Sequence, residues 1–201
     1  DPTESKAIGA ELAKLGIDML DAPVSGGEPK AVDATLSFMV GGQDALFRQY
    51  APLLKTMGRT VTYCGPLGAG NTVKLANQMI VAANIAAAAE GLMLARRNGV
   101  SPETVFHAVR GGLAGSAVME AKVPMMLRND TQPGFRIRLH IKDLKNALRA
   151  AADSGSPAPL SSVVMQQLLA VQEAGFSEAD HSAIAKYYEA LTGETLYEPD
   201  L

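Results

Sequence analysis

Apolar and polar positions alternate with two different periods along this chain, and the change from one to the other divides it. Residues 3 to 14 carry apolar side chains at helical spacing, with Asp1 or Thr3 placed to cap the start and Gly16 to stop the helix. Ile17 to Val24 reads as a strand that runs out into Ser25-Gly26-Gly27. Thr35 to Val40, closed by Gly41-Gly42, is a second strand, and Thr60 to Cys64 is a short third. Between these last two, Asp44 caps a helix running to about Met57. Strands alternating with helices predict an α/β sheet, and three strands make a poor free-standing one, so the sheet needs neighbours.

After Gly65 the period is helical throughout. Asn71 to Asn98 reads as one long helix, roughly 40 Å at 1.5 Å per residue. It is apolar nearly all round, which predicts a central, buried position. Ser101-Pro102-Glu103 starts the next helix, since Ser caps and Pro suits the first helical position. Helices follow at about 102–110, 116–127, 141–154, 158–174 and 180–192, and no segment after Cys64 has a strand signature. The predicted architecture is an α/β segment joined through a long central helix to an all-α domain.

Composition narrows the function classes. Hydrophobic residues make up 47% and charged residues 19% of the 201, as in ordinary folded soluble proteins. The formal charge is −3, so there is no net basic field to hold a polyanion, and nucleic acid is not an expected partner. Cys64 stands alone, which rules out an intrachain disulfide framework and a cysteine-based zinc site. A structural thiol in a reducing, cytoplasmic compartment is the expectation. The apolar run from 79 to 95 is interrupted by Asn84 and Glu90, which fits a buried soluble helix better than a membrane span. The chain carries no signal-peptide pattern and opens in mid-pattern on Asp1-Pro2-Thr3, so it is expected to be a fragment.

Three segments carry candidate chemistry. Asp21-Ala22-Pro23-Val24-Ser25-Gly26-Gly27 ends a strand in uncovered backbone N–H groups beside a hydroxyl, a small nest suited to a carboxylate; a simple glycine turn is the competing reading. Gly65 to Gly70 is a glycine-rich loop entering a helix, a feature shared with phosphate sites. It fails both familiar patterns. A Walker-type loop needs Lys where Asn71 stands, and the glycine order G-x-x-G-x-G is not that of a dinucleotide fingerprint. On the helix that follows, Lys74, Asn77, Gln78 and Asn84 fall within about 80° of Lys74 at 100° per residue, with Glu90 on roughly the opposite side. A polar stripe on a mostly buried helix is costly unless it faces a cavity or ligand. Lys74 is then a candidate proton donor, since partial burial brings a lysine toward neutrality; otherwise it snorkels to solvent and the amides bridge helices. The third segment, Leu139-His140-Ile141-Lys142-Asp143-Leu144, leads into a helix; as a helix start with Asp in its first turn it needs no function, and Lys142 reads by itself as a surface lysine. His107 and His181 read as structural, His140 stays ambiguous, and Arg96-Arg97 suits a helix C-terminus.

Taken in order, the three segments resemble the β-hydroxyacid dehydrogenase family, which includes 3-hydroxyisobutyrate dehydrogenase and, more distantly, 6-phosphogluconate dehydrogenase. Asp21 to Gly27 resembles its substrate motif, Gly65 to Asn77 its catalytic motif G-x-x-G-x-G-x-x-x-K-x-x-N, and Lys142-Asp143-Leu144 its late K-D-L motif. The resemblance covers essentially the whole chain. It implies that Ser25, Gly26 and Gly27 hold a substrate carboxylate, that Lys74 is the general acid–base, and that Asn77 orients substrate. It also implies that Phe135 lines the substrate pocket and that Lys142 lies near an NAD or NADP cofactor. On this likeness residues 1–66 are the last strands of a Rossmann-like nucleotide-binding domain, whose N-terminal half the chain lacks. Residues 67–201 are an all-α catalytic and oligomerisation domain. The implied substrate is a small carboxylate-bearing semialdehyde, and the implied assembly a homo-oligomer. Where 6-phosphogluconate dehydrogenases carry His-Asn after the lysine, this chain has Asn77-Gln78, which favours a small substrate over a sugar phosphate. A helical assembly module without chemistry of its own is the reading from another class.

Overall fold

A computed structural model of the chain describes residues 1–197. By packing these fall into two units, one comprising residues 1–78 and 146–157, the other 79–145 and 158 onward. The division falls inside the long helix, whereas the sequence reading placed a boundary at 66/67.

The first unit opens with α1, Pro2–Lys14. Its cap is Asp1, whose Oδ1 accepts from Thr3 N at 2.8 Å and Glu4 N at 3.4 Å, and Pro2 occupies the first turn, where a missing N–H has no consequence. The Arg149 guanidinium pairs with Asp1 and, at 3.4 Å, with Glu4. Three strands follow, β1 (Val24–Ser25), β2 (Leu36–Gly41) and β3 (Gly58–Gly65), in the order β1-β2-β3, the first pair antiparallel and the second parallel. Two helices lie between them, α2 (Gly27–Val32) and α3 (Asp44–Leu54). Gln43 is the N-cap of α3, and Asp44 sits in its first turn, bonded to Arg48 at 2.8 Å. The cap expected at Asp44 is thus displaced by one residue, and the helix ends at Leu54, short of Met57.

The strand expected over Ile17–Val24 is mostly absent. Asp21 exchanges both backbone hydrogen bonds with Gly41, at 3.0 and 2.8 Å, and Val24 pairs with Phe38. Pro23 between them has no N–H to donate, which breaks the ladder, and no described strand runs beside residues 17–20. Helix α2 was not foreseen because six residues without apolar periodicity carry no helical pattern.

The long helix, α4, spans Ala69–Arg97 and contributes to both units. It is buried along one face, through Ala82, Ile85, Ala86, Ala89, Leu92 and Met93, while Val73, Ile80 and Leu94 are exposed. The all-round burial expected from its composition is therefore corrected to a single stripe at i, i+3, i+4, i+7 spacing. Among the described residues it is the one helix long and apolar enough to cross a membrane.

The second unit is helical: α5 (Pro102–Val109), α6 (Ala117–Leu127), α7 (Ile137–Ser154), α8 (Pro159–Val171) and α9 (Ala185–Thr192), with the last nine residues of α7 assigned to the first unit. Its core is built on Ile85, Leu92, Val123, Ile137, Leu144 and Leu168, all essentially without solvent contact. α7 begins four residues before the expected 141, because its first N–H groups are taken up from outside the helix. Ile137 N donates to Ala179 O and Arg138 N to Ser177 O, at 3.0 and 3.2 Å. The helix expected over 158–174 ends at Val171, followed by a π-turn, Gln172–Phe176, in which Gly175 reverses the backbone at φ +96°. The one expected at 180–192 is a 3₁₀ turn, His181–Ile184, leading into α9.

Candidate active site

In the first unit the site is organised by a residue that the sequence motif contained but gave no role. Asp21 is 5% exposed. Its two carboxylate oxygens accept from Gly68 N and Asn71 N, each at 2.7 Å. These N–H groups belong to the glycine-rich loop and the first turn of α4, where a phosphate-binding loop would present its donors. The anion is supplied internally, by a side chain 47 to 50 residues earlier, which occupies these two donors in place of a phosphate. Gly70 is required by the same contact, since a Cβ there would collide with the carbonyl oxygens of Met39 and Asp21. Asn71 Nδ2 donates to Ser5 Oγ at 2.8 Å, fixing α1 against the same helix start.

This clamp joins the two predicted motifs of the unit. Four residues beyond Asp21, Ser25 ends β1, and Gly26 and Gly27 lead into α2 at φ +136° and +67°, conformations that L side chains resist. No side chain caps α2, so its first N–H groups are available to an acceptor. The cradle is less open than expected, because the side chain of Lys30 packs over Gly26 where a Cβ would sit. On α4, five residues past its first, Lys74 is half-buried, and Asn77 follows with its Nδ2 donating to Oε1 of the buried Gln78 at 2.8 Å. Asn84 departs from this group. It lies in the second unit, its Nδ2 bound to Ile80 O at 2.9 Å, and it lines a cavity together with Glu90, the residue expected on the far side of the helix. Burial pushes the Cys64 thiol above its usual range, a hydrogen bond with the Val40 backbone opposes this, and the Asp21 charge adds to the rise. A thiol so placed is a poor nucleophile, in keeping with a structural role.

Phe135, His140 and Lys142 lie in the second unit. Lys142 is exposed on α7 and bonds its neighbour Asp143 at 2.9 Å. Phe135 packs edge-on against both His140 and His181, whose Nδ1 atoms are 2.9 Å apart in a buried imidazole pair. Behind them stands Asp180, which is 0% exposed. It takes the Lys122 ammonium on both oxygens at 2.9 Å, and the N–H groups of Gly134, Phe135 and Ser182 at 2.9 to 3.0 Å. Burial pulls the His181 imidazole down to about 3, with His140 contributing, so the ring is neutral near pH 7. Desolvation alone would raise the Asp180 carboxyl, but His181, the backbone donors and Lys122 outweigh it and hold it below its usual 3.8. With His181 neutral over most of the pH range, the Lys122 charge and the backbone N–H groups are the cause that holds there. The sequence reading missed this cluster, since 58 residues separate Lys122 from Asp180 and no local motif contains both.

Two family models match the chain. One describes the NAD-binding domain of 6-phosphogluconate dehydrogenase, over residues 1–65, and the other the NAD-binding region of NADP-dependent 3-hydroxyisobutyrate dehydrogenase, over residues 68–188. The chain belongs to the 3-hydroxyisobutyrate dehydrogenase-like β-hydroxyacid dehydrogenases. It is 40% identical over 195 residues to 2-hydroxy-3-oxopropionate reductase of Escherichia coli, covering 97% of this chain and 67% of that protein. It is 34% identical to 2-(hydroxymethyl)glutarate dehydrogenase of Eubacterium barkeri, covering 96% and 64%. Among solved structures, 3-hydroxyisobutyrate dehydrogenase of Mycobacterium tuberculosis with L-serine superposes with a TM-score of 0.86 at 34% identity, covering 92% of this chain and 66% of that one. The chain thus spans about two thirds of the length of these relatives, and its small sheet and helices correspond to part of the nucleotide-binding domain and the helical domain of that fold.

Proposed function

We propose that this chain serves in an NAD(P)H-dependent dehydrogenase that reduces 2-hydroxy-3-oxopropanoate to glycerate. The observation that carries the reading is the pairing, within one packed unit, of an uncapped Ser25-Gly26-Gly27 turn with a half-buried Lys74 followed one helical turn later by Asn77. The 40% identity to the Escherichia coli reductase favours this substrate over the others in the family.

The Ser25 hydroxyl and the backbone N–H groups at Gly26 and Gly27 grip the substrate carboxylate, and Asn77 orients the carbonyl end. Lys74 gives a proton to the oxygen of the aldehyde as its carbon is reduced, and takes it back in the reverse direction. General acid–base help of this kind contributes about 10²- to 10⁴-fold to rate. The nicotinamide, when bound, supplies the hydride. Of this chain's residues, Lys142 suits the cofactor, since its ammonium is exposed and, among the described residues, pairs with its own neighbour Asp143. Phe135 is proposed to line the substrate pocket by family likeness. Exposed apolar side chains of the helical unit, Leu94 and Leu191 among them, favour assembly into a homo-oligomer, to be read by light scattering.

Lys74→Ala in the complete enzyme is expected to lower kcat by about 10²- to 10⁴-fold with a much smaller change in KM. Near-normal turnover would remove Lys74 from the chemistry. A kcat/KM for 3-hydroxyisobutyrate exceeding that for glycerate would move the substrate assignment to the dehydrogenase of that name.

A further inference from the structure

Asn84, Ala83, Ala87 and Glu90 fall on an arc of about 120° of α4 at 100° per residue. Because the alanines between the two polar residues are small, the helix leaves a hollow against Leu160, Val163 and Val164 of α8, a cavity of about 350 Å³. That is within the size of small-molecule sites, roughly 300–1,000 Å³. One end of the cavity is polar, formed by Glu90, Gln167 and Tyr188.

The hydrogen bonds at this end run in one direction. Gln167 Nε2 donates to Tyr188 Oη at 2.9 Å, and Tyr188 Oη donates to Glu90 Oε2 at 3.0 Å. Burial, with the Glu90 bond adding to it, pushes the Tyr188 hydroxyl up to about 12, so it remains the donor. Gln167 is 7% exposed, and its Oε1 is buried without a partner. Asn84 uses its Nδ2 on Ile80 O, which leaves its amide oxygen as an acceptor. Among the described residues no lysine, arginine or histidine pairs with Glu90. Glu90 is itself exposed, so this end lacks a donor for the Gln167 oxygen and carries one negative charge at its mouth.

We propose that this cavity binds a small organic ammonium ion with an apolar tail. The ammonium group meets Glu90 and the amide oxygens of Gln167 and Asn84, and the tail lies against Ala83, Ala87 and Val163. A neutral alcohol satisfies an amide oxygen but gains nothing from the exposed Glu90 charge, and a carboxylate is repelled. The site shares no residue with Ser25, Gly26, Gly27, Lys74 or Asn77.

The test titrates the 201-residue chain with n-hexylammonium, n-hexanol and hexanoate by calorimetry at pH 7, with molar mass followed by light scattering. Hexylammonium is expected to bind saturably, one per chain, about tenfold or more tighter than hexanol, with no hexanoate binding. Glu90→Gln should bring hexylammonium to the level of hexanol. Val163→Trp, at a rim position 57% exposed, should abolish both while leaving the thermal midpoint unchanged. Four outcomes overturn the proposal: no saturable binding, hexanol equal to hexylammonium, Glu90→Gln without effect, or a molar mass that halves in Val163→Trp. The last would assign this face to a second copy of the chain.

Discussion

Two buried aspartates, one in each unit, solve the same problem by different means. Asp21 accepts two backbone N–H groups at the start of α4, and among the described residues its side-chain hydrogen-bond partners are main chain alone. Asp180 accepts three backbone N–H groups and also holds the Lys122 ammonium. A carboxylate away from water needs its charge answered. At a long helix start the aligned peptide dipoles answer part of it, equivalent to roughly half a positive charge. Asp180 has only a loop and a single 3₁₀ turn before it, and there a full cation is recruited. The two acids also hold different things in place. Asp21 ties the residues before Ser25 to the helix that carries Lys74, while Asp180 pins the loop that ends in Phe135.

The difference can be broken open by substitution. Asp180→Ala strands a buried lysine, and about 3–5 kcal/mol of stability should be lost, measured by chemical denaturation. Replacing both partners, Lys122→Met with Asp180→Leu, should recover most of that, because a buried pair exchanged for apolar side chains is often near neutral. A double variant no more stable than Asp180→Ala alone would mean that the backbone donors, not the lysine, dominate. Asp21→Asn leaves no unpaired charge and keeps one acceptor, so a smaller loss is expected, about 1–3 kcal/mol. If it exceeded the loss from Asp180→Ala, the helix start would be judged a stronger partner than the ammonium.

Acidity sharpens the contrast more gently. The His181 imidazole beside Asp180 is neutral in the folded chain until about pH 3, whereas in the unfolded chain it titrates near 6.5. Unfolded chains therefore bind the proton first, so this stability is complete above pH 6.5 and declines as pH falls toward 3. The slope is up to about 1.4 kcal/mol per pH unit. The Asp180 carboxyl, held low, adds its own loss only below 3.8. Denaturation midpoints at pH 7, 6, 5 and 4 should fall accordingly, and His181→Phe should flatten the upper part of that profile. Equal slopes in the two proteins would exclude His181 as the cause.

Period and punctuation made much of this molecule legible. The change from strand to helix spacing at Gly65, the long helix, the Ser101-Pro102 start and most later helices could be read from neighbours in the chain, because the forces that set them act over three or four residues. The candidate site residues were legible for another reason. Ser25-Gly26-Gly27 and Gly65 to Asn77 are each contiguous, so a motif could contain them. Apart from the short helix α2, the missed features needed a partner from elsewhere. Pro23 breaks a strand only because β2 lies beside it, α7 begins at Ile137 only because residues 177–179 accept its N–H groups, and α4 is half-exposed where its own composition asked for full burial.

The same division separates what each polar residue is from what it does. Asp180, Lys122 and Gln167 were present in the chain as ordinary polar letters, Asp21 stood in a motif without a role, and spacing marked Glu90 only as the far side of a helix. Their roles arise from contacts across 21 to 58 residues of chain, or 98 for Tyr188 with Glu90. Local periodicity chooses the element and the face on which a side chain stands. Which atoms then meet it, and whether its charge is answered by a dipole, an ammonium group or nothing yet bound, is decided when distant segments pack, since desolvation and hydrogen bonding depend on the assembled surroundings rather than on the residue.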